Sequence, residues 1–349
     1  MNSISAFRNA LIRWYERNKR DLPWRRTADP YAIWLSEIML QQTRVAAVIP
    51  YYERFLRRFP TPAHLANAAE EEVLSLWAGL GYYSRARNLQ KAAREIQAQG
   101  SFPKSYDAIR ALPGVGEYTA AAVASIAFGL PHAVLDGNVA RVLARLDDDG
   151  SDIKASPVRR RLQARAQELL DRKRPSLFNQ ALMELGATVC LPRQPLCAAC
   201  PVAKMCLALE AGTQNELPVK GGQTAVHHVE RIVVIVRRRE SILMWRRGQN
   251  EPRLKGFWEL PEPHMLPGVR LAELLGEFRH SITNHRYRFF VAPGVAAEVP
   301  NGFRWVSLKK NARIPLSTTT RKALAVLRRT EEKNPPGKSS PQRKRVGVD

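Results

Sequence analysis

The residues best suited to chemistry in this 349-residue chain are its four cysteines, which all lie between positions 190 and 206: Cys190, Cys197, Cys200 and Cys206. A secreted disulfide scaffold would spread its cysteines through a much shorter chain, and zinc commonly takes two Cys-x2-Cys pairs. The spacing found here forms one loop around a larger group, and four thiolates are what a [4Fe–4S] cluster requires. We therefore predict an iron–sulfur centre, with zinc, a disulfide or free thiols as alternatives.

A second motif, Leu112-Pro-Gly-Val-Gly116, lies between a predicted short helix over 106–111 and a longer helix starting near Glu117. Two glycines allow a tight turn and close approach of the backbone to a ligand. The amides at the start of the second helix favour an anion. Gly114, Val115 and Gly116 are therefore predicted to form a helix–hairpin–helix cradle for a DNA phosphate.

Two carboxylates follow patterns that predict different environments. Asp136, in Leu135-Asp-Gly-Asn-Val139, is placed to cap a helix over 140–146, and capping amides should keep it ionised. Glu37 lies in a helix predicted from Pro30 to Gln42, on the same face as Ile33 and Trp34. Apolar neighbours should desolvate Glu37 and raise its pKa.

The hairpin, the aspartate twenty residues after it and the cysteine loop together resemble the iron–sulfur branch of the helix–hairpin–helix DNA glycosylases, the endonuclease III superfamily. The resemblance covers roughly residues 5–210. Trp34-Leu-Ser-Glu-Ile-Met-Leu-Gln-Gln-Thr43 is similar to the signature of the adenine DNA glycosylases (MutY type). Bifunctional relatives carry a lysine nucleophile where this chain has Tyr118, and tyrosine cannot form a Schiff base. The resemblance therefore implies a monofunctional enzyme that hydrolyses the glycosidic bond of adenine opposite 8-oxoguanine or guanine.

The resemblance also implies roles for individual residues. Glu37 would protonate the adenine, while Asp136 would stabilise the oxocarbenium-like sugar and bond to it transiently. Tyr118 and Asn138 would orient Asp136 and the water. The extruded adenine would occupy a pocket formed by Trp24, Arg25 and Gln180. Other DNA-binding positions implied by the resemblance are Gln42, Thr43, Leu80 and Tyr82, together with the hairpin residues and Thr283.

Two other functions fit parts of the same pattern. The first is a thymine glycosylase for T·G mismatches, because such relatives also carry tyrosine at the hairpin. Gln41-Gln42-Thr43 and the second domain argue against it. The second is a non-catalytic iron–sulfur DNA-binding protein, which the joint presence of Glu37 and Asp136 disfavours.

The elements that must position these residues are predicted to be mainly α-helical, because apolar residues recur at three- and four-residue spacing from Ser5 to Leu209. We predict a helical glycosylase domain over 1–211, a polar linker over 212–226 and an α+β domain over 227–330. The last rests on β-branched runs at 231–236, 242–245 and 288–291 and on a helix at 319–327. The Pro-, Ser- and Lys/Arg-rich tail 331–349 is predicted to be disordered.

The second domain resembles the Nudix-like domain that follows the catalytic domain in this family. Gly256, Glu262 and Arg270 keep the Nudix-box spacing, but the carboxylate positions hold Leu274 and Leu275. Magnesium needs those oxygens, so no magnesium is expected in the chemistry. The family's Phe-Ser-His turn, which reads 8-oxoguanine, aligns with Ile282-Thr-Asn284, where Thr283 keeps the hydroxyl and asparagine replaces histidine.

The net charge of +23 and a pI near 10.5 indicate a polyanionic partner such as nucleic acid. Residues 1–226 hold 30 basic and 21 acidic side chains, and residues 227–330 hold 20 and 8, so both domains are basic. No apolar run is long enough to cross a bilayer. The expected protein is a monomer in the cytoplasm or nucleoid of a bacterium, bound to duplex DNA that contains a mispaired adenine.

Overall fold

The structure, a computed structural model, describes residues 2–222, 225–248, 251, 254–307 and 314–333. The chain divides into two compact units. The first unit comprises Met1–Val73 and Tyr82–Gln223, and the second comprises Leu74–Gly81 and Thr224–Asp349. The main division thus lies between positions 223 and 224, within the segment predicted as a linker, whereas the grouping of Leu74–Gly81 with the second unit was not predicted.

The first unit is helical, as its apolar periodicity predicted. Its central helices, α2 and α8, are buried on nearly all sides, whereas the outer helices present a polar face to solvent. The helices, in chain order, are α1 (Asn2–Asn18), α2 (Pro30–Leu40), α3 (Val45–Arg58), α4 (Pro62–Ala66), α5 (Glu70–Trp77, which ends in the second unit), α6 (Ser84–Ala98), α7 (Tyr106–Arg110), α8 (Glu117–Phe128), α9 (Gly137–Leu146), α10 (Ser156–Leu169), α11 (Pro175–Thr188) and α12 (Leu207–Glu210). Short 3₁₀ turns are Pro23–Arg25, Cys197–Ala199 and Ala203–Met205.

One large core holds part of this unit together. It joins α1, α8, α9, α10 and α11 through buried side chains such as Leu11, Ile12, Leu143, Phe178 and Leu182. Helix α9 belongs to this core, is capped by Asp136 and contains Asn138. The core that stabilises the unit therefore also holds these two residues in place.

The second unit is an α+β structure built on a seven-stranded sheet, which agrees with the predicted fold class. The strands follow the order β3-β2-β1-β6-β4, with β5 paired to β6 and β7 paired to β2. Strands β1 and β6 run parallel, from His227↔His285 to Val236↔Gly294, and the other pairs are antiparallel. Helix α13 (Thr318–Lys333) packs on one face. The strands are β1 (His227–Arg238), β2 (Ser241–Arg246), β3 (Trp258–Glu259), β4 (Arg270–Leu271), β5 (Gly276–Ile282), β6 (His285–Val295) and β7 (Phe303–Ser307).

The prediction of a disordered tail from residue 331 was wrong at its start, because α13 continues to Lys333. Buried residues of this helix, including Leu324 and Leu327, lie against the sheet and support its last turn. The remainder of the predicted tail lies outside the described residues. Among the helices that the structure describes, none is long and apolar enough to span a membrane.

Candidate active site

Helix α2 brings Glu37 into the interior of the first unit. Asp29 caps the helix by accepting hydrogen bonds from the backbone N–H groups of Tyr31 and Ala32, each at 3.2 Å, and Pro30 occupies the first position. Every residue from Tyr31 to Met39 is buried, so the helix has no solvated face. Glu37 is 6% exposed and is the single ionisable carboxylate in that run.

The phenol of Tyr118, in the first turn of α8, donates a hydrogen bond of 2.8 Å to Oε2 of Glu37. The pKa of Glu37 is raised to about 7, because burial and the nearby charge of Asp136 raise it more than the Tyr118 hydrogen bond and the charge of Arg25 lower it. The predicted rise in pKa is therefore present. Burial also raises the pKa of Tyr118 well above its usual value, so the phenol stays protonated and remains a donor.

Asp136 caps α9, as predicted. Its Oδ1 accepts a hydrogen bond of 2.7 Å from the N–H of Val139, and its Oδ2 accepts one of 3.0 Å from the side-chain amide of Asn138. The direction of its pKa shift differs from the prediction. Burial raises the pKa of Asp136, although the Val139 and Asn138 hydrogen bonds lower it. The sequence pattern indicated the hydrogen bonds from the capping amides but not the burial that desolvates Asp136.

Arg141 extends this network from Asp136 to the cysteine loop. Its guanidinium donates to Oδ1 of Asn138 at 2.9 Å, to the carbonyl of Gly186 at 2.7 Å and to the carbonyl of Cys190 at 2.8 Å. The bond to Oδ1 assigns the orientation of the Asn138 amide, which then presents its N–H to Asp136. Gly186 permits this packing, because a Cβ there would lie 2.7 Å from Cβ of Asn138.

These residues surround a cavity of about 690 Å³. Trp24, Arg25 and Gln180 line it together with both carboxylates, as the predicted adenine pocket requires. Gln180 accepts a hydrogen bond from the hydroxyl of Tyr15 at 3.0 Å and donates one to Ser176 at 3.1 Å. Trp24 is buried against the ring of Tyr52, at a centroid distance of 5.4 Å.

Glu184 organises the cationic wall of this cavity. It is 1% exposed and accepts hydrogen bonds from Arg25 at 2.7 Å and from Arg20 at 2.7 and 2.8 Å. Burial raises the pKa of Glu184, but the two arginines outweigh it and bring that pKa down to about 2. Glu184 thereby fixes both arginines in position and offsets one of their two positive charges.

Helix α2 ends at Leu40, two residues before the predicted end at Gln42. Gln42 has a φ of 57° and Thr43 follows it, and both line the cavity. The guanidinium of Arg85 donates to the carbonyls of Ile38, Met39 and Gln41 and so satisfies the end of the helix. Tyr82, which has a φ of 47°, is 48% exposed, whereas Leu80 is buried and belongs to the second unit.

The hairpin has the predicted helix–turn–helix form, between α7 and α8. Gly114 has a φ of 76°, and a Cβ at this position would lie 2.6 Å from Cβ of Asn88. Both the backbone conformation and the lack of space for a Cβ therefore require glycine. Gly116 caps α8, and a Cβ there would meet nothing within 4 Å. Open space at Gly116 is what a phosphate approaching the helix N-terminus needs.

None of the four cysteines is in a disulfide, and all four have intermediate burial. Burial, together with the charges of the neighbouring Cys190, Cys206 and Cys197, raises the pKa of Cys200 to about 11. Arg145 donates to Sγ of Cys190 at 3.2 Å. In the part of the chain that the structure describes, no three His, Cys, Asp or Glu side chains approach closely enough to hold a metal ion as they stand. The number and the chemistry of these four thiol donors nevertheless suit an iron–sulfur cluster, which spans more space than one metal ion.

In the second unit, Thr283 and Asn284 form the two-residue turn between β5 and β6. Thr283 has a φ of 51°, and its hydroxyl donates to the carbonyl of Ile282 at 2.7 Å. Asn284 donates to the carbonyl of Ala225 at 3.0 Å, and the ring of His285 stacks on His227. The residue that replaces the family's histidine therefore fixes the base of the turn.

Residues 35–168 match the HhH-GPD superfamily of base excision DNA repair proteins. The solved structure of a thermostable thymine-DNA glycosylase is 30% identical to this chain, and the match covers 97% of that chain and 60% of this one with a TM-score of 0.55. The chain belongs to the HhH-GPD superfamily. A solved endonuclease III–DNA complex is 24% identical, with a TM-score of 0.51 over 61% of this chain and 100% of that chain, and shows the same fold.

The adenine DNA glycosylase of Homo sapiens is 49% identical to this HhH-GPD protein over 238 residues, which is 65% of this chain and 44% of the human protein. The chain therefore spans less than half of the length of that relative. The HhH-GPD match includes Glu37, Tyr118, Asp136 and Asn138, whereas the cysteine loop and Glu184 lie beyond it.

Two residues that line the cavity, Arg141 and Glu184, were not predicted from the sequence. Both are charged residues within apolar helical segments, Val139-Ala-Arg-Val-Leu143 and Ala181-Leu-Met-Glu-Leu185. A charge on a buried helix face must find a partner, so their positions carried a signal. Their partners lie on other segments of the chain, and spacing in the sequence alone does not identify them.

Proposed function

We propose that this chain is a monofunctional adenine DNA glycosylase that removes adenine mispaired with 8-oxoguanine or guanine. The observation that carries the proposal is that Glu37 and Asp136 line one cavity, with Tyr118 bound to Glu37 where a lyase needs lysine. The 49% identity to the human adenine DNA glycosylase supports the choice of base.

Glu37 is the proposed general acid. With a pKa near 7 it holds a proton in a large fraction of molecules at neutral pH, and Tyr118 engages only Oε2. The proton passes to a ring nitrogen of adenine, and the bond from the base nitrogen to C1′ breaks with its electron pair going to the base. Adenine leaves as a neutral molecule.

Asp136 is the proposed stabiliser of the sugar cation. It receives more hydrogen bonds than Glu37, from Val139 and Asn138, so when the two carboxylates share one proton Glu37 retains it. The negative Asp136 then faces the oxocarbenium-like C1′. Water adds to C1′ and gives its proton to the carboxylate of Glu37, which restores the acid. Asn138 and Tyr118 orient these groups.

The cavity is proposed to hold the extruded adenine between Trp24, Arg25 and Gln180, with Gln42, Thr43, Leu80 and Tyr82 at the DNA duplex. Cys190, Cys197, Cys200 and Cys206 would hold a [4Fe–4S] cluster, which when bound would fix the loop that contains them. The second unit is proposed to be Nudix-like and to contact the opposite base through Thr283. We also propose that the protein acts as a monomer on DNA in the bacterial cytoplasm.

The experiment that tests the proposal is single-turnover excision from four duplexes carrying 8-oxoG·A, G·A, C·A or T·G pairs. The expected result is rapid release of adenine opposite 8-oxoguanine and guanine, and none of thymine from T·G. The 30% identity to a thymine-DNA glycosylase makes T·G the informative competitor. Release of thymine at a rate equal to that of adenine would contradict the proposal.

A further inference from the structure

The segment Thr213–Gly222, named here the strap, packs against the helical unit, although the sequence pattern predicted a linker. The carbonyl of Leu217 accepts from Arg145 at 2.9 Å, that of Val219 accepts from the N–H of Ile153 at 3.1 Å, and that of Gly221 accepts from Lys154 at 3.2 Å. Three hydrogen bonds spread along ten residues fix the path of the strap.

Gly221 holds the end of the strap close to the helical unit. A Cβ at Gly221 would lie 2.5 Å from Oδ2 of Asp152, which shows how closely the strap approaches this side chain. Backbone hydrogen bonds from Lys154 and from Gly221 lower the pKa of the Asp152 carboxyl. The residue before it, Lys220, therefore has a defined location.

Lys220 lines the cavity that contains Glu37 and Asp136, and so does Arg159 from the first turn of α10. Both side chains belong to exposed residues, and within the described part of the chain neither forms an ion pair or a side-chain hydrogen bond. The other cationic residues of the cavity are engaged: Arg20 and Arg25 bind Glu184, and Arg141 binds Asn138 and two carbonyls.

We propose that Lys220 and Arg159 bind the DNA phosphates beside the extruded nucleotide. This inference rests on the proposed function, because it requires a nucleotide in the cavity. Extrusion bends the backbone toward the enzyme and brings the flanking phosphates to the mouth of the pocket. Two exposed, unpaired cations at that mouth neutralise those phosphates and release their counterions.

The test measures the salt dependence of binding to a duplex that carries 2′-fluoro-2′-deoxyadenosine, whose glycosidic bond resists cleavage, opposite 8-oxoguanine. Loss of one phosphate contact should reduce the slope of log K against log salt by about 0.9. Lys220→Gln and Arg159→Gln should each show that reduction. Lys220→Arg, which keeps the charge, should retain the wild-type slope.

The matched control is Arg160→Gln. Arg160 is the next residue of α10, is equally exposed and does not line the cavity. Its substitution should leave the slope and the excision rate unchanged. Slopes for Lys220→Gln and Arg159→Gln that equal the Arg160→Gln slope would overturn the inference.

Failure of the proposed function has a different signature, because wild-type protein would then release no adenine from a normal 8-oxoG·A duplex whatever the slopes are.

Discussion

At the residue scale, the protonation of Glu37 sets the pH dependence of the reaction. The acid form is required, and burial raises the pKa of this carboxyl to about 7. Excision under single-turnover conditions should therefore fall about tenfold per pH unit well above pH 7, and it should fall again in acid, where Asp136 takes up a proton and no longer stabilises the sugar cation. Tyr118→Phe removes a hydrogen bond that lowers the pKa, so the falling limb should move to higher pH.

Glu37→Gln keeps the shape of the side chain and an acceptor for Tyr118 but has no proton to give. Excision should fall by a factor of about 100 to 10,000, while binding of mismatched duplex in a gel-shift titration stays near the wild-type value. Excision by this variant at the wild-type rate would eliminate Glu37 as the general acid.

Tyr118 determines whether one reaction or two take place. Wild-type protein should release adenine and leave an abasic site that breaks mainly after alkali. Tyr118→Lys puts an amine beside C1′, so borohydride should trap a covalent protein–DNA product and some β-elimination should appear, with slower excision.

Lys220 provides the control for that experiment, because among the described residues it is the lysine that lines the cavity. Any weak trapping by wild-type protein should disappear in Lys220→Arg. Trapping by wild-type protein as efficient as that of a true lyase, or unchanged in Tyr118→Lys, would contradict the monofunctional mechanism.

At the element scale, the closeness of α9 and α11 at Gly186 supports Asn138 and, through it, Asp136. Gly186→Ala would add a Cβ 2.7 Å from Cβ of Asn138. The helices must then separate, at a cost of about 1 to 3 kcal/mol in the free energy of unfolding, and the excision rate should fall. Urea denaturation measures the first effect. Gly137→Ala, where a Cβ meets nothing within 4 Å, should not destabilise the protein.

Local sequence patterns predicted most of the helices and strands but not the long-range contacts that the segments make. The Asp29-Pro30 start of α2, the Asp136 cap of α9 and the glycine turn before α8 each depend on neighbours in sequence, and each is present. The strap has a polar, Gly-containing composition typical of a linker, yet its carbonyls are bound by Arg145 and Lys154. Those donors lie more than sixty residues away in the chain, and no local pattern indicates them.

At the scale of the whole molecule, a single buried side chain supports both the cysteine loop and the strap. Arg145 contacts both Cys190 and Leu217, so the loop and the strap share one support. Cys197→Ser should lose the visible absorbance of an iron–sulfur protein and most of its DNA affinity, because Lys220 and the basic residues of the loop, Arg193 and Lys204, are then displaced.

Circular dichroism should show that Cys197→Ser keeps most of its helix content, since the core of α1 and α8–α11 does not include residue 197. Wild-type protein that is colourless and contains stoichiometric zinc would refute the iron–sulfur assignment. Full DNA affinity in a colourless Cys197→Ser variant would show that the cysteine loop does not contribute to DNA binding.

The strap has a practical consequence for anyone who recombines such proteins. In a chimera joined at residue 212, where the composition changes, the segment that corresponds to Lys220 and Gly221 would come from the other parent protein. The helical unit would then lack the segment that its own side chains bind. Joining after Gly222 keeps the anchored segment with its own helices. The junction that keeps Lys220 with its own helical unit therefore lies ten residues after the junction that composition suggests.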